Sequence, residues 1–406
     1  MMRKTPLPTA IAAIFHSFFV TILFSISIWV PCRATEYRVE KDGSGDFLEI
    51  QDAVLRADDG DTIRIGIGRW SRMVEHIAPA WQDSSVVVIE DKGVTLLGAG
   101  IGATIIGPAQ MPDVFNATGP FCILFLADAH LEIQDMTIEN AGAALYVEGN
   151  GSLNVINAEI AHARLGVTAV TPNECYLYEC YIHDCQDIGI GSWIDGNKTI
   201  IERCDFVAPL ISTCFHTMIQ RSPDYNITEC NYRYGAEAIQ TEWEPTQGTV
   251  TGIVTSDVYS SHIIAYTGSI IQALDCRLGP GGKSLLASSG STTMIRGSGN
   301  ILYGVQSDDQ RRGSIYSIRG DFDLHDNHIL RQPGSYYAVG SLGTGFQPID
   351  VRNNWWGTTD TDSIAAWIYD YNDDPGIPSI FSYEPVLESP VPAERTTTSS
   401  LKRAFR

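Results

Sequence analysis

Five short segments in the middle of this 406-residue chain carry the side chains best suited to chemistry: ALYVEG, LGVTAV, IGIGSW, TMIQRS and EAIQTE. Alternate residues of a strand face opposite sides. Aligned by their apolar positions, the segments place Tyr146, Glu148, Thr168, Trp193, Gln220, Gln240 and Glu242 on one outer face. Such a strip suits a sugar chain, with Glu and Gln bonding hydroxyls and an indole covering a ring. Gly189 and Gly191 would leave a low floor at its centre. The catalytic candidates are Glu242 and Asp195, which would stand two strands apart, about 10 Å, if the segments stack at the usual strand spacing. Glu148 would lie four strands from Glu242, about 19 Å. Two carboxylates that hydrolyse a glycoside must stand roughly 5 to 9.5 Å apart, so Glu148 and Glu242 are excluded as a pair.

Metal chemistry is less well supplied. His183, Asp184 and Asp187 in YIHDCQDIG are possible ligands, but one histidine among turn aspartates reads first as turn chemistry. The row Cys175, Cys180, Cys185 reads as small-residue packing, and no CxxC or paired histidine supports zinc. No metal site is assigned. Acidic turns such as DDPG could hold calcium weakly, the one cofactor the sequence admits. Asp308, Asp309, Arg311 and Arg312 form a mixed-charge loop tip able to clamp an anionic sugar or, more simply, to be solvated.

The candidate strip needs a frame that stacks distant segments. LEIQDMTIENAGAALYVEGNGS, LNVINAEIAHARLGVTAVTPNE and CYLYECYIHDCQDIGIGSWIDGNK each run through a short alternating strand, a small polar residue and a second short strand. Taking Asp135, Asn157, Cys180, Cys204 and Cys230 as pivots gives spacings of 22, 23, 24 and 26, with Cys276, Asn300, Asn327 and Asn354 continuing the series. No useful helix fits inside such a unit, so the chain is expected to wind as a parallel β-solenoid. The pivots would then form a ladder, Asn sharing amide hydrogen bonds and Cys filling the same small space as an unbonded thiol.

A solenoid has a raw edge at each end. DFLEIQDAVLRADDGD puts Ile50, Ala53, Val54 and Ala57 at helical spacing, between Asp46 as a possible N-cap and Gly60 as a stop. At the other end Asp360 or Thr361 can start a helix through DSIAAWIYD, with Ile364, Trp367 and Ile368 on one face. The aromatic cluster around NNWWGTTD is therefore expected to plug the core and not to serve as a sugar platform.

YRVEKDGSGDFLEIQDAVLRADDGDTIRIGIG resembles the opening of pectinesterases and related proteins of the pectin lyase-like superfamily. The coils resemble bacterial β-helix repeat proteins such as the NosD-like group, and NNWWGTTD with YNDDP is similar to their closing coil. The resemblance runs from about Tyr37 to Pro390 and implies an all-β, right-handed parallel β-helix with short α-helical caps at both ends. It carries no activity across, because this fold hosts lyases, hydrolases, esterases, adhesins and non-enzymes. The QDTL, DFIFG and GRPW strands of pectinesterases and the NTD, DD, GHG series of polygalacturonases are missing here.

Arg3 and Lys4, an apolar run from Ile11 to Val30 and the exit Cys32-Arg33-Ala34 have the order of a secretory signal. The run is also long enough to anchor in a bilayer. The expected organisation is a signal peptide over 1–34, a β-helix domain over 35–390 and a disordered tail over 391–406. The whole chain has a net charge of −21, and losing residues 1–34 would remove three basic residues and no acid. That surface repels nucleic acid and anionic membranes. The reading is a secreted, periplasmic or cell-surface monomer with no membrane span once the signal is gone. Two functions stay open: a non-catalytic module that binds polysaccharide or another surface partner through Tyr146, Glu148, Trp193, Gln220 and Gln240, or a carbohydrate-active lyase, esterase or hydrolase using Glu242.

Overall fold

The computed structural model describes residues 34–392, apart from 79–80, 112–119, 171–172, 194–197, 211–212, 223, 243, 306–311 and 343–347. The expected signal segment up to Arg33, the tail from Ala393, Asp195, and the loop residues Asp308, Asp309 and Arg311 lie outside the described residues.

From Glu36 onward the chain makes a short strand, a corner, a second short strand, a second corner and a third strand, and then starts again. Each strand pairs in parallel with its counterpart one coil later. Leu131, Leu153, Cys175, Thr199 and Tyr225 are successive neighbours in the first sheet. The result is three sheets of 14, 11 and 13 strands wrapped around one core. One pair departs from the pattern: Val74–Ala78 and Trp81–Glu90 form an antiparallel hairpin at the front of the third sheet. Alternation dictates which side chains enter the core. In His130–Gln134, Leu131 and Ile133 are buried between more accessible neighbours, and the same pattern recurs in Ser152–Ile156 and Glu174–Tyr178. Among the described residues no helix is long and apolar enough to cross a membrane.

The pivot ladder exists but is shifted from the expected alignment. The first corner uses two residues per coil. Asp135, Asn157, Glu179, Arg203, Glu229, Asp275, Asp326 and Asn353 form the first column, all with φ between 49° and 58°. Immediately after residues of this column come Cys180, Cys204, Cys230, Cys276, Asn327 and Asn354, buried in the second column together with Asn300, which follows Gly299 at φ 71°. Asp135 and Asn157 thus belong to the left-handed column, and Met136 and Ala158 take the buried positions below Cys180. Left-handed backbone suits Asp and Asn and costs other residues about 1–2 kcal/mol each. Where Glu179, Arg203 and Glu229 occupy it, they stack as alternating charges, with Arg203 3.8 Å from Glu179 and 3.2 Å from Glu229.

The buried column is a row of donors. Asn300 Nδ2 donates to the Ala273 carbonyl at 2.9 Å, Asn327 to Gly297 at 3.0 Å and Asn354 to Leu324 at 2.7 Å. The thiols of Cys180, Cys230 and Cys276 reach the equivalent carbonyls of Val155, Ile201 and Val250 at 3.4, 3.6 and 3.5 Å. All eight described cysteines are buried and unbonded to one another. Burial pushes the Cys276 thiol up to about 12, which keeps it a neutral donor.

Both ends are capped. Helix α1 (Ile50–Arg56) buries Ile50, Ala53 and Val54 against the first coil. Its N-cap position is Glu49 and not Asp46, whose carboxylate instead accepts the Arg38 amide at 2.8 Å. At the far end α2 is only Thr361–Ala365. The chain then leaves the helix, and Ile368–Tyr369 joins the third sheet beside Val339–Ser341. Trp356, Ile364 and Ile368 are buried, and Trp367 packs against the core, so the aromatic cluster is a plug.

The Asn327 side chain accepts from the Asn300 amide and donates to Gly297 and Asn354, all buried, and to the part-buried carbonyl of His325. Asn327→Leu leaves several of them unpaired at about 1–3 kcal/mol each. The urea midpoint should drop by the equivalent of at least about 3 kcal/mol; an unchanged midpoint would mean that the ladder does not hold the coils.

Candidate functional site

The third sheet carries the candidate residues. Its six-residue strands, including Ala143–Glu148, Leu165–Val170, Ile188–Trp193, Phe215–Gln220 and Glu237–Glu242, are in register over four coils. Glu148, Val170, Trp193, Gln220 and Glu242 make one outward column. Tyr146, Thr168, Gly191, Met218 and Gln240 make a second. The expected outer face is therefore real, but it is not an evenly solvated strip.

Its centre is nearly closed to solvent. Gln220 is 2% exposed, Gln240 5% and the neighbouring Glu237 7%. Gln220 Nε2 donates to Glu242 Oε2 at 3.2 Å and meets the Met218 sulfur at 3.0 Å. The Gln220 Oε1, Gln240 Oε1 and Glu237 Oε2 atoms have no hydrogen-bond partner. Most buried polar atoms do have one. The low floor expected at Gly191 is filled: a Cβ there would stand 2.4 Å from two atoms of the Trp193 indole, so the ring lies over the glycine. Gly189 instead lets the backbone approach His216, whose carbonyl would sit 2.6 Å from an added Cβ.

Glu237 is the residue that strand alternation misses. Counting back in steps of two from Gln240 or Ile239 puts residue 237 on the core side. The ladder, however, pairs Glu237 with Phe215 and Ile239 with Thr217, and both Ala238 and Ile239 sit in the core. That bend turns Glu237 outward, in the column of Phe121 and Ala143. Burial pushes its carboxyl up to about 7; the Ser260 hydroxyl 3.4 Å away opposes the rise and the Glu242 charge adds to it. The same two carboxylates act on Tyr266 in the next coil, whose hydroxyl is pushed up to about 12, by burial first. Arg312 lies near enough to oppose that shift, with its guanidinium 5.0 Å over the Tyr316 ring.

Tyr146 and Glu148 form a separate patch. The Tyr146 hydroxyl donates to Glu148 Oε2 at 3.2 Å, and the ring meets Phe121 at 5.2 Å. Beside them Val88, Phe121, Leu124 and Ala143 make a small apolar cluster outside the main core. Glu148 also borders a recess of about 510 Å³ with Asp91 and Asp128. With four coils between Glu148 and Glu242, about 19 Å, the sequence-defined strip divides into two patches. Asp195, the expected partner of Glu242, falls outside the described residues.

His183 and Asp184 do meet, Nδ1 to Oδ2 at 2.8 Å. Asp187 is not with them, because its Oδ2 accepts from Arg164 Nε at 2.5 Å. In its place stands His162 from the previous coil, its ring centroid 5.6 Å from that of His183.

These sheets, corners and caps define a right-handed parallel β-helix repeat protein, and residues 121–297 match the family described as "Right handed beta helix region". No curated protein matches the sequence. Three solved structures show a distant likeness. The catalytic unit of an α-1,3-glucanase from Streptomyces thermodiastaticus is 9% identical, with a TM-score of 0.34, covering 75% of this chain and 66% of that one. Carrot pectin methylesterase is 14% identical, with a TM-score of 0.23 and coverage of 87% and 86%. A tailspike capsular polysaccharide depolymerase from Acinetobacter baumannii bacteriophage Fri1 is 12% identical, with a TM-score of 0.35 and coverage of 86% and 57%. The chain thus spans less than two thirds of the glucanase unit and of the tailspike. Likenesses at this level transfer no activity.

The Glu237 carboxyl makes stability pH-dependent. Its folded value of about 7 lies above the ordinary 4.5, so between those values the folded chain keeps a proton that the unfolded chain has lost. Stability therefore falls as pH rises through that window, by about 3 kcal/mol, and is constant above it. Glu237→Gln should abolish this loss, making the variant gain on the parent protein in urea unfolding at pH 8 relative to pH 5. Parallel behaviour at the two pH values would show that Glu237 is not desolvated.

Proposed function

We propose that this chain is an exported polysaccharide-binding β-helix protein that grips a glycan along the outer face of its third sheet. One observation carries the reading: Gln220, Gln240 and Glu237 face outward, are nearly buried and keep unpartnered acceptor oxygens. Sugar hydroxyls are donors of the kind these oxygens lack, and the Trp193 indole beside them supplies ring surface for a pyranose face. Tyr146 and Glu148 would extend the grip toward the front of the solenoid, as a second subsite four coils away. The acidic surface makes neutral glycans the better ligands and disfavours nucleic acid.

A second reading rests on Glu237 together with Glu242. A carboxyl held near 7 is protonated often enough at neutral pH to act as a general acid. Glu242, on the same strand and hydrogen-bonded to Gln220, would then be the base or nucleophile of a glycan-cleaving enzyme, provided both side chains lean together to within about 9.5 Å across backbones about 16 Å apart.

A glycan array followed by product analysis on the bound sugars separates the two. Under the binding reading, Gln240→Leu weakens affinity about 5- to 30-fold, the worth of one or two hydrogen bonds, and the sugars are recovered intact. Under the enzymatic reading, products appear and both Glu242→Gln and Glu237→Gln abolish them. Full affinity in Gln240→Leu would remove the third sheet from the account.

A further inference from the structure

A second cluster lies at the corner between the second and third sheets, built by the same register and independent of the glycan strip. His162 and Asp184 occupy equivalent places in successive coils, both left-handed, with φ of 49° and 53°. Their side chains approach, Nδ1 to Oδ2, at 4.0 Å. His183, one residue before Asp184, is stacked above Ala161 in the second sheet. One donor atom from each of His162, His183 and Asp184 lies within 4.8 Å of the others.

We propose that His162, His183 and Asp184 bind a divalent first-row transition metal ion, zinc foremost. Two imidazole nitrogens and one carboxylate oxygen suit zinc and its neighbours, and not calcium, which takes oxygen ligands almost exclusively. Donors at zinc distance, tetrahedrally arranged, stand about 3.3 Å apart. The Asp184 contacts of 2.8 and 4.0 Å bracket that spacing. Small rotations of His162, whose side chain is half exposed, bring it to the ion. The proton shared between His183 and Asp184 leaves to solvent as the metal enters.

The surroundings of His183 support the assignment more strongly than the donors alone. Its other nitrogen, Nε2, faces Glu159 Oε1 at 3.2 Å, and Glu159 is itself held by the Thr137 hydroxyl at 2.6 Å. A carboxylate behind the second ring nitrogen fixes the tautomer and orientation of a metal-binding histidine. Tyr181 stacks on the same imidazole at 4.3 Å and holds its plane. Ala161 is the strand neighbour of His183 in the coil below, as Glu159 is of Tyr181. With three protein ligands and an exposed outer side, the ion keeps room for at least one water or external ligand.

The test is titration of the full chain, without a histidine tag, with zinc chloride by calorimetry and with cobalt(II) by visible absorption. The expected result is one site per chain and a cobalt spectrum of tetrahedral or five-coordinate intensity. His162→Ala should weaken binding by at least tenfold, and Glu159→Gln by about 10- to 100-fold through loss of orientation. Asp184→Asn keeps a residue that tolerates left-handed backbone, so it should fold and still lose the ion, as circular dichroism and titration together would show. Absence of saturable binding, or binding unaffected by His162→Ala and Asp184→Asn, overturns the proposal.

Discussion

The structure depends on the first corner of each coil, where from Cys180 onward a buried Cys or Asn donates to a carbonyl in the coil below. Every coil must turn out of the first sheet through a left-handed residue and bring the next one inward. There a Cys or Asn side chain meets a carbonyl of the coil below. Asparagine answers this with an amide at 2.7 to 3.0 Å, cysteine with a weaker thiol at 3.4 to 3.6 Å. Both are short enough to fit between stacked backbones. The cysteines of this protein are thus donors in a ladder, and neither bridges nor ligands are needed to explain them.

Fixing that corner sets the stacking of the coils, and the stacking creates the contacts between residues one period apart. Gln220 and Glu242 are 22 residues apart in the chain and hydrogen-bonded in space. His162 and His183 come together in the same way. A solenoid makes chemistry by stacking coils, so a pair of functional groups appears in the sequence as residues one period apart and not as a compact motif. Coils also interact mainly with their neighbours, so changes in the strip between Ala143 and Glu242 leave the caps untouched.

This explains what was legible. The repeat of about two dozen residues, both caps and the outward positions of Tyr146, Glu148, Trp193, Gln220, Gln240 and Glu242 follow from alternation and spacing. The ladder was readable only to within one residue, because Asp135 and Asn157 have the same chemistry as a buried pivot while Met136 and Ala158 beside them do not. Glu237 was hidden by a bend that sends Ala238 and Ile239 both inward, which no period-two reading can anticipate. The His162 and His183 pair shows no local zinc spacing, because the two residues lie 21 apart in successive coils.

The burial of the strip is the feature that most constrains function. A protein surface can leave amides and carboxylates in water at no cost. On the third sheet three acceptors are instead desolvated without partners, a cost of about 1–3 kcal/mol each. Such local inconsistency concentrates where a structure serves a ligand and not its own stability. Desolvation also raises the Glu237 carboxyl to about 7, so the physics that prepares the face to accept hydroxyl donors lets one of its acids keep, near neutral pH, a proton that a general acid needs. Binding and catalysis are therefore neighbouring outcomes of one arrangement, and what divides them is whether Glu242 can reach the same bond of the sugar as Glu237.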